Sequence, residues 1–500
     1  MSTTPCKIVI LGAGVAGLKI ALSLDKKLNP MNGELILVDK NDYHQYLYHL
    51  QKVCNKHYDE AEIKISLSRL LKKSKIKFMK TTVRSIDLMD RRIHTDGGSI
   101  SFGILVLALG SDVNCFGVEL AEKKCLILDS YSNAKRIRGM IIELFEDFKK
   151  TGMLPKIVIG GAGMTGVELA GEIADWYSPL CRTAHSQMNE KYRICYAFNE
   201  ELDFLAEMDS HVLETDLTKK DITLVELTGG ILPGWDEGLA RKGEDKLREL
   251  GVKLSFNDGI AKISETHVHL ASGNEIPYDL FVWSCGIKGK TIAMDGFKVT
   301  RGRVVVDEHC QAEGYEDVYV AGDCANVTDD EGRPQSPSAH IAMEHADVVA
   351  HNIVATIKGG KMKSYRFTRI GEIVTIGRTF AMADLFGFKF NGFLAKFMKK
   401  VVHWWYLYSI GGFGLLLRKN ELEPQELPDR ILEAIPHDEW IPASEIASKL
   451  GGETYEVARV IRIKLLNVDV ERKPLRKKQG SPYLYRRLKR LQPVRVSVKR

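Results

Sequence analysis

Two glycine-rich segments have the composition and spacing of dinucleotide-binding turns. Gly12-Ala13-Gly14-Val15-Ala16-Gly17 follows the apolar run Lys7-Ile8-Val9-Ile10-Leu11, and Gly161-Ala162-Gly163-Met164-Thr165-Gly166 follows Lys156-Ile157-Val158-Ile159. In a G-x-G-x-x-G turn from strand to helix, one glycine permits the tight turn. The next lets backbone approach a pyrophosphate, and the third lets helix pack on strand. The anion then meets free N–H groups at a helix N-terminus. Two such turns imply two dinucleotides in one chain, which is how a flavin and a nicotinamide cofactor are brought face to face.

Each turn calls for a carboxylate to take a ribose hydroxyl pair. The strand Glu34–Val38 ends at Asp39, close to the ~20-residue spacing usual for that acid, and the strand Asp221–Val225 ends at Glu226. The second spacing is far longer, so the stretch from about Trp176 to Lys220 reads as an insertion. A carboxylate at Glu226 favours a free 2′-hydroxyl over a 2′-phosphate, hence NADH over NADPH; the plainer possibility is a solvated acid at a strand end. A third acid, Asp323, closes the apolar strand Val318-Tyr319-Val320-Ala321-Gly322-Asp323. It stands at a strand C-terminus, where open α/β sheets bind ligands, and can hold the ribityl–phosphate part of FAD or cap the following helix.

The elements that must position these groups read as α/β: two Rossmann-like dinucleotide-binding domains, the NAD domain inserted in the FAD domain. Residues 1–112 and 300–365 form the FAD-binding domain, and 113–299 the NADH-binding domain with its connector. Residues 366–418 form a C-terminal membrane- or dimer-contact region with an amphipathic helix, and 425–500 a small, basic, α+β winged-helix-like domain. Five hundred residues suit several domains. The net charge of +6 is uneven, with fifteen Lys/Arg against two Asp/Glu between Arg459 and Arg500. The nine cysteines show no Cys-x-x-Cys and no zinc-like spacing, so they read as reduced thiols and no metal is expected. The apolar stretch after Lys7 is a strand and helix rather than a signal peptide, since the glycine turn interrupts it. No run reaches the ~18 apolar residues of a membrane span.

The chain resembles the type II NADH dehydrogenases, the non-pumping NADH:quinone oxidoreductases within the two-dinucleotide-binding flavoproteins. The resemblance runs over residues 5–418. It is carried by Ile8–Gly17, Val38–His44, Ala108-Leu109-Gly110, Gly160–Glu172, Thr223–Glu226 with Ile231-Leu232-Pro233, Ala321–Ala325 and Ile376-Gly377-Arg378. It implies FAD as cofactor and NADH as substrate, with hydride transfer to FAD and then two-electron reduction of a membrane quinone. The cofactor-binding residues on this reading are Gly12, Gly14, Ala16, Gly17, Asp39, Lys40, Val83, Ala108, Gly110, Gly322, Asp323, Ala339, Gly161, Gly163, Thr165, Gly166, Glu168, Glu226 and Gly286. The resemblance also puts Glu172 near the nicotinamide–flavin contact. Helix periodicity sets Glu168 and Glu172 on one face, near a helix start where anions are favourable. Glu168 can meet the nicotinamide ribose or amide, and Glu172 can serve protons or simply pair with the flavin domain.

One stretch departs from the family pattern. Where the family carries Ala-Gln-x-Ala-x-Gln beside the quinone pocket, this chain has Ala339-His340-Ile341-Ala342-Met343-Glu344. His340 and Glu344 at i,i+4 are expected to act in catalysis as a proton relay, or they mark a different acceptor. Sulfide:quinone chemistry, the enzymatic rival, needs a cysteine in the C-terminal third, and none follows Cys324. A soluble reductase of a protein or disulfide acceptor is also compatible with these motifs. So, in a different functional class, is a redox-sensing nucleic-acid binder.

From Phe393 the aromatic residues Phe393, Phe397, Trp404 and Tyr408 recur at helical steps, with Lys396, Lys399, Lys400 and His403 on another face. That pattern suits a helix lying in a membrane interface or at a homodimer contact, which implies peripheral attachment on the cytoplasmic side of the cell membrane. Beyond Glu421, helices are expected over Asp429–Ile435, Ala443–Leu450 and Tyr455–Leu466, then a basic wing near Gly480. The partner of this domain is anionic lipid, protein or nucleic acid, with nucleic acid the less favoured.

Overall fold

The computed structural model describes residues 6–28, 33–55, 63–118, 125–177, 220–290, 296–328, 337–368 and 370–417, with short pieces at 180–181, 335, 434–435, 440–450, 461, 470–474 and 483–487. The chain divides into two units, Met1–Leu417 and Arg418–Arg500.

The first unit holds two parallel five-stranded sheets of the same design. In one the order is Val318–Val320, Ile104–Leu107, Cys6–Leu11, Gly33–Asp39 and Lys77–Lys80; in the other it is Cys125–Ile127, Leu280–Trp283, Lys156–Gly160, Asp221–Val225 and Val252–Ser255. All neighbouring pairs are parallel. The runs Ile8–Leu11 and Ile157–Gly160 are wholly buried, as strands covered on both faces must be. Each sheet carries an antiparallel three-stranded meander before its last strand in the repeat: Val83–Asp87, Arg92–Thr95 and Gly98–Ser101 in one, Ile260–Ile263, His267–Leu270 and Glu275–Pro277 in the other.

Strand returns place the second sheet within the first. Val318–Val320 pairs with Ile104–Leu107, although the whole second sheet lies between them in sequence. The helix Tyr131–Thr151 connects Cys125–Ile127 to Lys156–Gly160 within the second sheet, capped at its start by Ser130 accepting the Asn133 N–H at 3.3 Å and at its end by Gly152 with φ 68°.

A third antiparallel sheet, Gly371–Ile376, Phe380–Leu385 and Phe388–Asn391, precedes the helix Phe393–Leu417. The sheet docks on the helix over residues 164–177. A side chain at Gly171 would strike the Gly377 backbone, so only glycine lets these elements touch. The Arg378 N–H donates to Asp175 at 2.5 Å. Gly412, with φ 62°, breaks the last helix, which runs further than the expected Phe393–Tyr408.

That helix corrects the expectation of a basic face. Lys399 points inward, 9 % exposed, and pairs with Glu168; only Lys396 and Lys400 of the three lysines lie outside. Phe393, Leu394, Phe397, Trp405 and Tyr408 are exposed, while Trp404 is half-buried. No described helix is long and apolar enough to cross a membrane.

The second unit shows a three-stranded antiparallel sheet ordered Ile441–Pro442, Tyr483–Arg487, Val470–Pro474, and the helix Ala443–Leu450. Most of the helices expected over 429–435 and 455–466, the wing near Gly480 and most of the 176–220 insertion lie outside the described residues.

Candidate active site

The two glycine turns have one geometry. Gly12 and Gly161 take φ values of 103° and 93°, a region costly for any residue with a Cβ. A side chain on Gly17 would collide with the Gly12 carbonyl, and one on Gly166 with the Gly161 carbonyl. These are close helix–strand contacts that only hydrogen permits. At Gly14 and Gly163 a Cβ would meet nothing within 4 Å. Those middle glycines therefore face open space, and a group as large as a pyrophosphate can approach their backbone there.

The acids at the strand ends are held alike. Asp39 accepts the Ala13 N–H and the Asn41 N–H, both at 2.7 Å. Glu226 accepts the Ala162 N–H at 2.7 Å and the Thr228 N–H at 3.0 Å. Each carboxylate is locked to the second residue of its glycine turn, so the turn and the ribose-binding acid are one rigid piece. Lys40 and Thr165 are exposed beside these turns; Ala16 and Ala108 are buried beneath the first. Gly110 and Gly286 take φ values of 75° and 146° at equivalent strand ends, with the Phe116 ring 3.2 Å from where a Gly286 side chain would start. Val83 opens the meander strand, half-buried.

Asp323 lies in the 3-10 turn Gly322–Cys324. It accepts the Ser111 hydroxyl at 2.8 Å. Burial pushes its carboxyl above the usual range, opposed by the Ser111 bond and the Arg303 charge. Gly322 donates its N–H to His345 Nδ1 at 3.2 Å. Burial lowers His345 to about 4, so the ring is neutral and carries its proton on Nε2. His345, Ser111 and Arg303 belong to no motif in the sequence. The one signal among them is that His345 falls on the inward stripe of the helix that starts at Ala339.

That helix, Ala339–Lys358, is capped by Ser338 accepting the Ile341 N–H at 3.2 Å. His340 Nε2 and Glu344 Oε1 come within 3.3 Å, as the i,i+4 spacing anticipates. The contact lacks hydrogen-bond alignment, so it is a charge pairing only when His340 is protonated. The Tyr365 hydroxyl stands 3.2 Å from Glu344 Oε2 and 3.0 Å from Gln335 Oε1.

Glu168 and Glu172 lie on the helix over 164–177 and face one neighbour. Gln51 donates to Glu168 at 2.8 Å and Asn55 to Glu172 at 2.8 Å, so an i,i+4 pair of amides reads an i,i+4 pair of acids. Glu168 also accepts the Thr375 N–H at 2.9 Å, the Thr375 hydroxyl at 2.8 Å, and Lys399. With four donors on it, Glu168 ties the C-terminal region to the nucleotide helix. Glu172 is 4 % exposed, and burial raises its carboxyl above the ordinary value despite Lys52 and Asn55.

The sign of that shift gives a stability prediction. A carboxyl raised on folding binds more protons in the native state between its unfolded and folded values, so native stability falls as pH rises through that window. Glu172→Gln removes the cost of the buried charge. Its melting temperature relative to the parent should be higher at pH 8 than at pH 4.5 by calorimetry. The opposite order would mean that the charge is stabilised where it sits.

The chain belongs to the pyridine nucleotide-disulphide oxidoreductase family, whose pattern matches residues 6–346. It is similar to the type II NADH:quinone oxidoreductase of Staphylococcus saprophyticus, 27 % identical over 424 residues, which cover 83 % of this chain and 98 % of that protein. The Staphylococcus aureus counterpart is 28 % identical over the same length. Among solved structures, NDH2 from Plasmodium falciparum in complex with NADH shares the fold with a TM-score of 0.66 at 15 % identity, covering 84 % of this chain and 99 % of that one. The sulfide:quinone oxidoreductase of Aquifex aeolicus does so at 0.62 and 18 %, covering 84 % and 96 %.

Proposed function

We propose that the protein is an FAD-dependent NADH:quinone oxidoreductase of the non-pumping kind that works at a membrane surface. The observation that carries this reading is the pair of matched cradles, each with an open middle glycine and a strand-end carboxylate locked to it. The similarity to the staphylococcal enzymes over most of their length supports the acceptor. The cradle at Gly12–Gly17, with Asp39, Asp323 and Gly322, fits FAD; the cradle at Gly161–Gly166, with Glu226, fits NADH. Bound FAD supplies a centre that takes a hydride from NADH and gives two electrons to a quinone. The chain's own groups bind the two pyrophosphates and orient the riboses. Glu172, its charge disfavoured by burial, sits on the nucleotide helix without opposing the approach of a hydride. The FAD-binding segments are 1–112 and 300–365, and the NADH-binding segment is 113–299.

His340 and Glu344 are proposed as polar lining beside the acceptor. Removal of a general acid or base typically costs ~10²–10⁴-fold. A His340→Gln, Glu344→Gln double variant, which restores the family's two glutamines, should therefore keep quinone turnover within ~10-fold if the pair only lines the site. A larger loss makes the pair the proton relay.

Membrane contact rests on the exposed apolar residues Phe393, Leu394, Phe397, Trp405 and Tyr408, with Phe386 and Phe388 of the neighbouring hairpin. A contiguous apolar face of this kind is a docking surface, and a lipid-soluble quinone requires the enzyme to touch the bilayer. Attachment on the cytoplasmic side, with residues 418–500 adding attraction to anionic lipid, completes the proposal. The protein should co-sediment with anionic liposomes, and removal of 418–500 should lessen only the salt-sensitive part, since exposed charges are screened. Phe397→Ser with Trp405→Ser should impair long-tailed quinones more than water-soluble ones. Equal loss with both acceptors points instead to a dimer or folding contact.

A further inference from the structure

The segment Tyr43–Asn55 joins the two cradles. At one end His44, fully buried, donates from Nδ1 to the Ala13 carbonyl of the first glycine turn at 2.8 Å. At the other end Gln51 and Asn55 hold Glu168 and Glu172. Between them Tyr46, Tyr48 and His49 meet the inward side of the helix Phe393–Leu417. The Tyr406 hydroxyl donates to His44 Nε2 at 2.6 Å. This fixes His44 as a tautomer with both nitrogens used, and its far end is a backbone carbonyl, so His44 holds structure and does not pass protons.

The second contact is different. The Tyr46 hydroxyl bonds His403 Nδ1, and the His49 ring lies 5.0 Å from the His403 ring and 5.2 Å from that of Tyr46. Tyr46 is buried, whereas His403, His49 and Tyr48 are half-buried. His403 stands on the helix that presents Phe397, Trp405 and Tyr408 outward. On the membrane-contact reading, a lipid-soluble molecule that enters beside Phe397 and Trp405 would pass along the helix that carries His403. The charged and titratable groups around it include Tyr46 and His49 on the joining segment, with Lys52 and Lys399 acting on His49, and Glu168 and Glu372 acting on Tyr48. Burial, with the charges of Lys52, His403 and Lys399, holds His49 well below its ordinary value, so it stays neutral beside His403.

Resting on the quinone-reductase reading, we infer that His403 is the catalytic acid of the acceptor half-reaction and that Tyr46 is the residue that positions it. Overall, NADH, one proton and quinone give NAD⁺ and quinol. Two electrons and one hydrogen nucleus come from NADH, and one proton must come from solution. As the quinone is reduced, doubly protonated His403 gives up its Nε2 proton: that N–H bond breaks and one quinol O–H bond forms, the other quinol hydrogen being the one NADH supplied. His403 becomes neutral with its other nitrogen held by Tyr46, and it regains its proton from solvent through its exposed edge.

The test separates the two half-reactions in His403→Gln and Tyr46→Phe. Flavin reduction by NADH should change less than ~3-fold, and reoxidation by a short-tailed quinone should fall ~100-fold in His403→Gln. Tyr46→Phe should fall less, and its quinone rate should depend on pH differently from that of the parent. Reoxidation by ferricyanide, which takes electrons without protons, should be unaffected. Calorimetric binding of the same quinone to the oxidised protein should change less than ~3-fold, which separates proton transfer from binding. Normal quinone reoxidation in both variants, or equal loss with quinone and ferricyanide, overturns the inference. If His403→Gln loses its FAD through misfolding, the pH profile of Tyr46→Phe decides alone. A parent protein that reduces no quinone removes the underlying reading instead.

Discussion

A Gly163→Val variant will fold, bind FAD and fail to oxidise NADH. The position has no neighbour within 4 Å of a Cβ, so a side chain can start there without striking the turn, and the fold should hold. It occupies the space through which the NADH pyrophosphate must reach the turn's N–H groups. Loss of two charge-assisted hydrogen bonds at about 1.5–3 kcal/mol each corresponds to at least ~100-fold in kcat/KM for NADH. The FAD-to-protein ratio and melting temperature should match the parent, while bleaching of the flavin by NADH in stopped flow slows or disappears. Gly166→Val provides the contrast, because there a side chain strikes the Gly161 carbonyl and the whole domain should be destabilised. Unchanged flavin reduction in Gly163→Val places NADH elsewhere.

Glu226→Ala will largely erase the choice between NADH and NADPH. In the parent the carboxylate should repel a 2′-phosphate and accept the ribose hydroxyls, an asymmetry of about 1.5–3 kcal/mol or more for a charged hydrogen bond. The parent should therefore prefer NADH by at least ~10–100-fold in kcat/KM, and the alanine variant by only a few-fold. Glu226 also holds the Ala162 and Thr228 N–H groups, so the alanine variant loosens the turn and weakens both nucleotides. Glu226→Gln, which can still accept those bonds, separates the two effects: NADPH use should rise while NADH falls less. A parent that uses NADPH as well as NADH rules out Glu226 as the ribose ligand.

The nucleotide cradles were legible in the sequence because their physics is local. A strand, three glycines at fixed offsets and an acid at the next strand's end define the turn; Asp39 stands where the usual spacing puts it, and Glu226 holds the equivalent strand end despite the long stretch before it. The repeated sheet was legible for the same reason, since its buried strands are apolar runs. Long-range pairings were not. Nothing near Glu168 in sequence announces that Gln51, Thr375 and Lys399 will surround it. Periodicity set Lys399 beside Lys396 and Lys400, but the half-buried Glu168 carboxylate draws it inward. The aromatic–histidine contacts of Tyr46, His403 and Tyr406 join positions about 360 residues apart, and neither half alone has a recognisable pattern. Spacing paired His340 with Glu344 but could not show that Tyr365 shares the glutamate or that His345 reaches Gly322.

The most direct test of the account is NADH oxidation by the purified, FAD-loaded protein in anionic liposomes containing quinone, with NAD⁺ and quinol both quantified. The account predicts equal amounts of NAD⁺ and quinol, with NADH preferred to NADPH. NADH oxidation without quinol, or quinone reduction supported by sulfide and not by NADH, would contradict it.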